Sequence, residues 1–268
     1  MRRIARQTIT PILLIILTAC LPIPPAWRAA SFTQGQTSQL EGTDFRTWQT
    51  TLGDGICAAS DERPVQPSDV RTEHLGDHSR LEANMAGRNI QAHNITYLSA
   101  TNANALGFRH TFSFQFRAPR IPVKDQPETY SQNLEGSIQL WDGTNSRRDF
   151  IVAFSWVLNP FANQGTLQTW QADDNQGHWQ DAGFLAPDTE WHSAELILEP
   201  RHQRAELRID RQTMTASFTR TTRPTHWGSQ TDARITIEGS SVWVCEGGQG
   251  RPMQGEFKDW RWRWEWMR

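Results

Sequence analysis

The chain has 268 residues, 37% of them hydrophobic and 21% charged, with 27 basic against 29 acidic side chains and a formal net charge of −2. A chain this long buries roughly 70% of its unfolded surface, and 13 Trp with 12 Phe supply too much apolar area for a disordered protein. The near-balance of charge excludes nucleic acid as a partner, and no repeat of about 20–50 residues marks a solenoid.

Residues 1–20 read as an address. Arg2, Arg3 and Arg6 precede a short apolar run from Ile12 to Leu17, too short to span a bilayer. The run closes on Leu17-Thr18-Ala19-Cys20, which resembles the lipobox of bacterial lipoproteins. That resemblance implies a signal peptide over 1–19, a lipidated Cys20, and residence in the bacterial cell envelope. With Leu21 rather than Asp after the cysteine, it implies the outer membrane in a Gram-negative cell. The membrane is then a partner only through the lipid anchor. Pro, Ser, Gln and Thr dominate the following stretch, so 20–39 are read as the lipidated cysteine and a flexible tether, and 40–268 as a single domain. In an oxidising envelope the remaining cysteines, Cys57 and Cys245, are expected to form a disulfide. No CxxC or nearby His at ligand spacing suggests zinc.

Residues 58–78 carry charge and Pro with few apolar anchors and read as a long surface loop. Beyond them the sequence alternates in twos. Strands are predicted over 80–86, 108–117, 136–143, 149–158, 194–199, 205–210, 213–218, 234–238 and 255–266. In 108–117 the phenylalanines Phe108, Phe112, Phe114 and Phe116 share one face with His110, a core-side histidine by parity. In 255–266 the indoles of Trp260, Trp262, Trp264 and Trp266 share another. A strip of four indoles is an aggregation hazard in water, so it belongs in the core, leaving Arg261 and Arg263 outside. Many short strands without crossover helices predict an all-β, antiparallel sandwich or jelly roll.

The stretch 190–218, with Trp191 at the start of a strand, a hairpin and an Asp turn, resembles concanavalin A-like lectin/glucanase domains, laminin-G-like modules included. The resemblance spans about 79–268, closes on the strand 255–266, and implies binding or cleavage of glycans. Glucanases of this fold carry paired carboxylates on one strand, and no Glu-x-Asp-x-x-Glu run occurs here. Polysaccharide lyases of the fold carry Arg-x-Glu and Gln-x-His strand motifs. Arg80-Leu81-Glu82 resembles the first and Gln139-Leu140-Trp141 the second, with Trp141 in place of the histidine base. A lyase would thus rest on Arg80, Glu82 and Gln139 without a placed base.

The non-core positions of the candidate strands offer Arg80, Glu82, Asn84, Arg109, Gln115, Gln139, Trp141 and Trp170. Amides, guanidinium groups and indoles suit sugar hydroxyls and the C–H faces of sugar rings. The expected function is therefore polysaccharide binding on the concave face, without catalysis. A polysaccharide-degrading enzyme, and a structural or protein-binding envelope lipoprotein whose polar face lies under a covering loop, remain alternatives. Asp173, Asp174 and Asn175 form a polar turn, with calcium binding as the second reading; no other cofactor is expected.

Overall fold

The computed structural model describes residues 36–52, 58, 63–84, 92–101, 105–124, 131–141, 150–172, 177–218, 232–242 and 252–268, with backbone alone at 51–52, 92–101, 131, 141, 232 and 240–242. The expected sites at Cys20, at Cys57 with Cys245, and at Asp173, Asp174 and Asn175 lie outside the described residues.

Fifteen strands follow one another among the described residues. They are β1 (Thr37–Gly42), β2 (Gln49–Leu52), β3 (Val70–His74), β4 (Ser79–Ala83) and β5 (Ala92–Thr101), then β6 (Phe108–Arg117), β7 (Ser131–Trp141), β8 (Phe150–Val157), β9 (Thr166–Ala172) and β10 (Gly177–Phe184), then β11 (His192–Glu199), β12 (Arg204–Ile209), β13 (Gln212–Ala216), β14 (Asp232–Val242) and β15 (Met253–Trp266). The first sheet runs β13-β12-β11-β6-β15-β4-β3, with β1 paired to the far half of β15; the second runs β10-β9-β8-β7-β14-β5-β2. The ladders are antiparallel, and the two sheets form the all-β antiparallel sandwich that the alternation predicts.

The core is what the period of two dictates. Phe112, Phe114 and Phe116 of β6 point inward with Leu196 and Leu198 of β11, and meet Phe154 and Trp156 of β8. The ring centroids of Phe116 lie 5.2 Å from Phe154 and 5.9 Å from Trp156. His110 is fully buried in the same row and its Nε2 lies 2.9 Å from the Ala105 carbonyl. Trp260, Trp262 and Trp264 are buried as expected, and Trp266 packs against the core at its rim. One irregularity makes this possible. Phe257 and Trp260 both face inward although three positions apart, because the register of β15 slips between Lys258 and Arg261. Asp259 absorbs the extra residue at φ 53°, the left-handed region that Asp enters more readily than most residues.

The segment expected as a loop over 58–78 instead contains a short 3-10 turn (Pro67–Asp69) and the edge strand β3. Its charged residues are those of an exposed strand rather than of a loop, because an edge is protected by charge. β1 begins at Thr37, inside the stretch expected as a tether, and pairs with Glu265.

Candidate functional site

The residues singled out by alternation divide between two surfaces. Arg80, Glu82, Arg109 and Gln115 point outward from the first sheet, each on a side-chain partner. Arg80 Nη2 and Arg117 Nη2 lie 2.6 and 2.7 Å from the two oxygens of buried Glu256. Glu82 accepts from Gln254 at 2.6 Å and pairs with Arg71 at 2.8 Å. Arg109 Nε meets Glu199 at 3.3 Å, and Gln115 Nε2 donates to Asp259 at 3.2 Å. Asn84, just beyond β4, donates to Asp69. Burial pushes the Glu256 carboxyl up, but hydrogen bonds from Arg80 and Arg117 outweigh it and hold the carboxyl below its ordinary range. The indole of Trp191 is capped by Arg117, 4.6 Å from its centroid, and by Lys258 at 4.3 Å. These cations are spent on cross-strand ties, so this cluster reads as scaffold.

Gln139, Trp141 and Trp170 belong to the second sheet. A single face carrying all eight residues is therefore not formed, which corrects the expectation. The reason is physical: alternation separates the inward from the outward side of a strand but is blind to which sheet the strand joins.

The outward face of the second sheet is built in rows. Glu135 of β7 and Glu238 of β14 are direct register partners, and Ser155 of β8 stands opposite Glu135 on the other side. Ser155 Oγ donates to Glu135 Oε1 at 3.2 Å. The row continues to Gln168 of β9, whose Nε2 donates to Asp181 of β10 at 2.9 Å. Beside it the hydroxyls of Ser137 and Thr236 are hydrogen-bonded, and beyond them Gln139 is paired in register with Arg234. Trp141 is placed one step further, opposite Asp232. Asn133, two residues before Glu135, has a buried Oδ1 with no hydrogen-bond partner among the described residues. At the outer strands Trp170 and Trp179 are register partners, their rings edge-on with centroids 5.4 Å apart.

This face is polar and yet buried. Glu135 and Glu238 are each 5% exposed, Ser155 1% and Thr236 2%. Burying polar groups costs free energy unless they are satisfied, so a sheet face of this kind is built for its polar groups. Among the described residues no group of three or more His, Cys, Asp or Glu side chains is arranged to hold a metal ion.

The sequence reading missed Glu135 and Glu238 because it sought both carboxylates on one strand. The signal was present: Leu134-Glu135-Gly136-Ser137 and Ile237-Glu238-Gly239-Ser240 repeat one pattern on two strands. The glycines face inward beneath the carboxylates. A Cβ at Gly136 would lie 2.7 Å from Phe114 and 2.8 Å from Phe154, and one at Gly239 would strike Met253. Only glycine lets the opposing sheet come so close under both glutamates.

No family model and no curated protein matches the chain. Among solved structures, the CBM2 module of the evolved Dit of Lactobacillus casei BL23 phage J-1 superposes with a TM-score of 0.54 at 11% identity, covering 88% of this chain and 99% of that one. The Bacillus licheniformis β-glucanase gives 0.48 at 13% identity, over 88% and 100% of the two chains. Arcelin-5, a lectin-like defence protein of Phaseolus vulgaris, gives 0.48 at 10%, over 86% and 99%. At such identities the likeness is one of fold.

Proposed function

We propose that the protein binds polysaccharide on the outward face of the second sheet, held at a bacterial membrane by a lipidated Cys20. The observation that carries the reading is the row of buried polar side chains through Glu135, Glu238 and Ser155, continued by Gln168 and bordered by Trp170. Carboxylates and amides match paired sugar hydroxyls, and an indole matches the C–H face of a pyranose ring. The ladder fixes these groups on neighbouring strands, so little ordering remains to oppose binding.

Affinity electrophoresis of the full-length chain through gels cast with neutral and acidic polysaccharides tests the reading. Retardation by one polymer is expected, weakened roughly 2–10-fold by Trp170→Ala, the size of one aromatic contact. Gln139→Ala should weaken it also, and Gln115→Ala on the first sheet should not. Equal effects from both sheets would remove the face assignment. For the anchor, Cys20→Ser should move the protein from the detergent phase to the aqueous phase on phase partitioning. Unaltered partitioning would rule out lipidation there.

A further inference from the structure

We infer that the glycan track runs on from Trp170 to a second aromatic station at Phe184, and that its ligand is a linear, neutral polysaccharide whose sugar rings offer apolar C–H faces to both. The inference rests on the polysaccharide-binding reading of the second sheet. It adds a site, a minimum ligand length and a charge class.

The outer margin of that face is formed by β9 and β10. Trp170 is paired in register with Trp179, Gln168 with Asp181 and Thr166 with Phe184. Strict alternation from Asp181 would turn Phe184 inward. The register slips between Asp181 and Gly183, with Ala182 as the extra residue. The inward place falls to Gly183 instead, where a Cβ would lie 2.8 Å from Gln212 Oε1 and 3.4 Å from Met214 Sδ of the first sheet. Phe184 therefore stands on the outward side with Trp170 and Trp179.

Phe184 is fixed and yet 58% exposed. The Gln212 amide clamps its backbone from β13: Nε2 donates to the Phe184 carbonyl at 2.6 Å, and Oε1 accepts from its N–H at 3.3 Å. Its ring lies against Gly165, which stands at φ 93° and where a Cβ would come within 2.5 Å. A lone apolar side chain in water is ordinary, but a bulky one on an edge strand invites pairing with other chains. Bulge, clamp and glycine together hold this ring at a set place in solvent, which lowers the ordering cost of stacking a sugar on it.

Spacing and charge define the ligand. Thr166, the partner of Phe184, is four positions from Trp170 on β9, about 14 Å at the rise of an antiparallel strand. That is longer than a disaccharide, so only an extended, longer chain meets both stations. Among the described residues the outward positions of β9 and β10 hold no cation, and their one carboxylate, Asp181, accepts from Gln168 at 2.9 Å. An acidic polymer would meet a like charge here with no guanidinium to offset it. The amide and carboxylate between the two stations suit the hydroxyls of a neutral sugar.

The test passes the full-length chain through gels cast with mixed-linkage β-glucan, xylan or polygalacturonate, and competes the retarding polymer with its own oligosaccharides. Retardation by a neutral polymer is expected, with the hexasaccharide competing at about tenfold lower concentration than the disaccharide. Phe184→Ala should weaken retardation roughly 2–10-fold, and Phe184→Trp should retain it. Retardation that Trp170→Ala weakens and Phe184→Ala leaves unchanged would overturn the second station and leave binding on this face standing. A loss in Phe184→Ala that Phe184→Trp shares would do the same, since it would lie in the strand and not in stacking. Retardation by polygalacturonate alone, or a disaccharide that competes as well as the hexasaccharide, would overturn the ligand class. No retardation by any of the three polymers would overturn both readings.

Discussion

His110 illustrates how a single buried side chain writes a pH dependence into the fold. Burial pushes its imidazole down to about 4, against 6.5 for an ordinary histidine, while its contact with the Ala105 carbonyl opposes the shift. Between those values the unfolded chain binds a proton that the folded one refuses, so stability falls as pH drops through this window. From pH 7 to pH 5 the loss from this residue is about 2 kcal/mol. Urea unfolding at the two pH values should show a smaller difference in His110→Leu than in the parent chain; an equal difference would place the dependence elsewhere. Below that window the carboxylates take over. Arg63 bonded to Asp69, and the pair Arg80 and Arg117 on Glu256, hold those carboxyls below their ordinary range, so their contribution is present above that range and disappears as pH falls through it.

At the scale of the element, β15 shows what a strict alternation reading captures and what it omits. The indole series Trp260, Trp262 and Trp264 was legible because buried strands announce their inward face. The slip at Asp259 was not, since a bulge is a backbone event with no period of its own. Asp259→Val should lower stability by about 1–2 kcal/mol, the cost of holding a β-branched side chain in the left-handed region, and Asp259→Gly should cost less. An unchanged urea midpoint in Asp259→Val would mean that the strand keeps its two parities by another route. The same logic explains the overlooked strands. Edge strands such as β3 and β10 are exposed on much of their length and carry Arg, Glu, His and Asp, so no apolar face marks them. The phenylalanine strand β6, buried on alternate residues throughout, matches its predicted bounds of 108–117.

For the whole molecule, the sandwich architecture followed from the strand pattern and the absence of helical periodicity, whereas the placement of the candidate site did not. Arg80 and Gln139 have the same outward parity on their strands, yet one belongs to the first sheet and the other to the second. Sheet membership is decided by long-range pairing such as β4 with β15 and β7 with β14, contacts whose partners stand about a hundred residues or more apart. The division has a rationale in charge. Outward positions of the first sheet pair Arg with Glu across strands, at Arg80–Glu256, Arg208–Glu195 and Arg261–Glu41, and so knit a surface. The central positions of the second sheet instead set two carboxylates, Glu135 and Glu238, side by side in register.

Antiparallel neighbours are related by a local two-fold axis, here passing between Glu135 and Glu238. A polysaccharide has a reducing and a non-reducing end, so a symmetric centre alone offers it the same greeting in either orientation. The symmetry ends a few positions out. On one side Gln139 stands opposite Arg234; the equivalent positions on the other side are Ser131 and Val242. In residue type the two sides of the centre differ, Gln and Arg against Ser and Val, and that inequality gives the ladder a sense of direction.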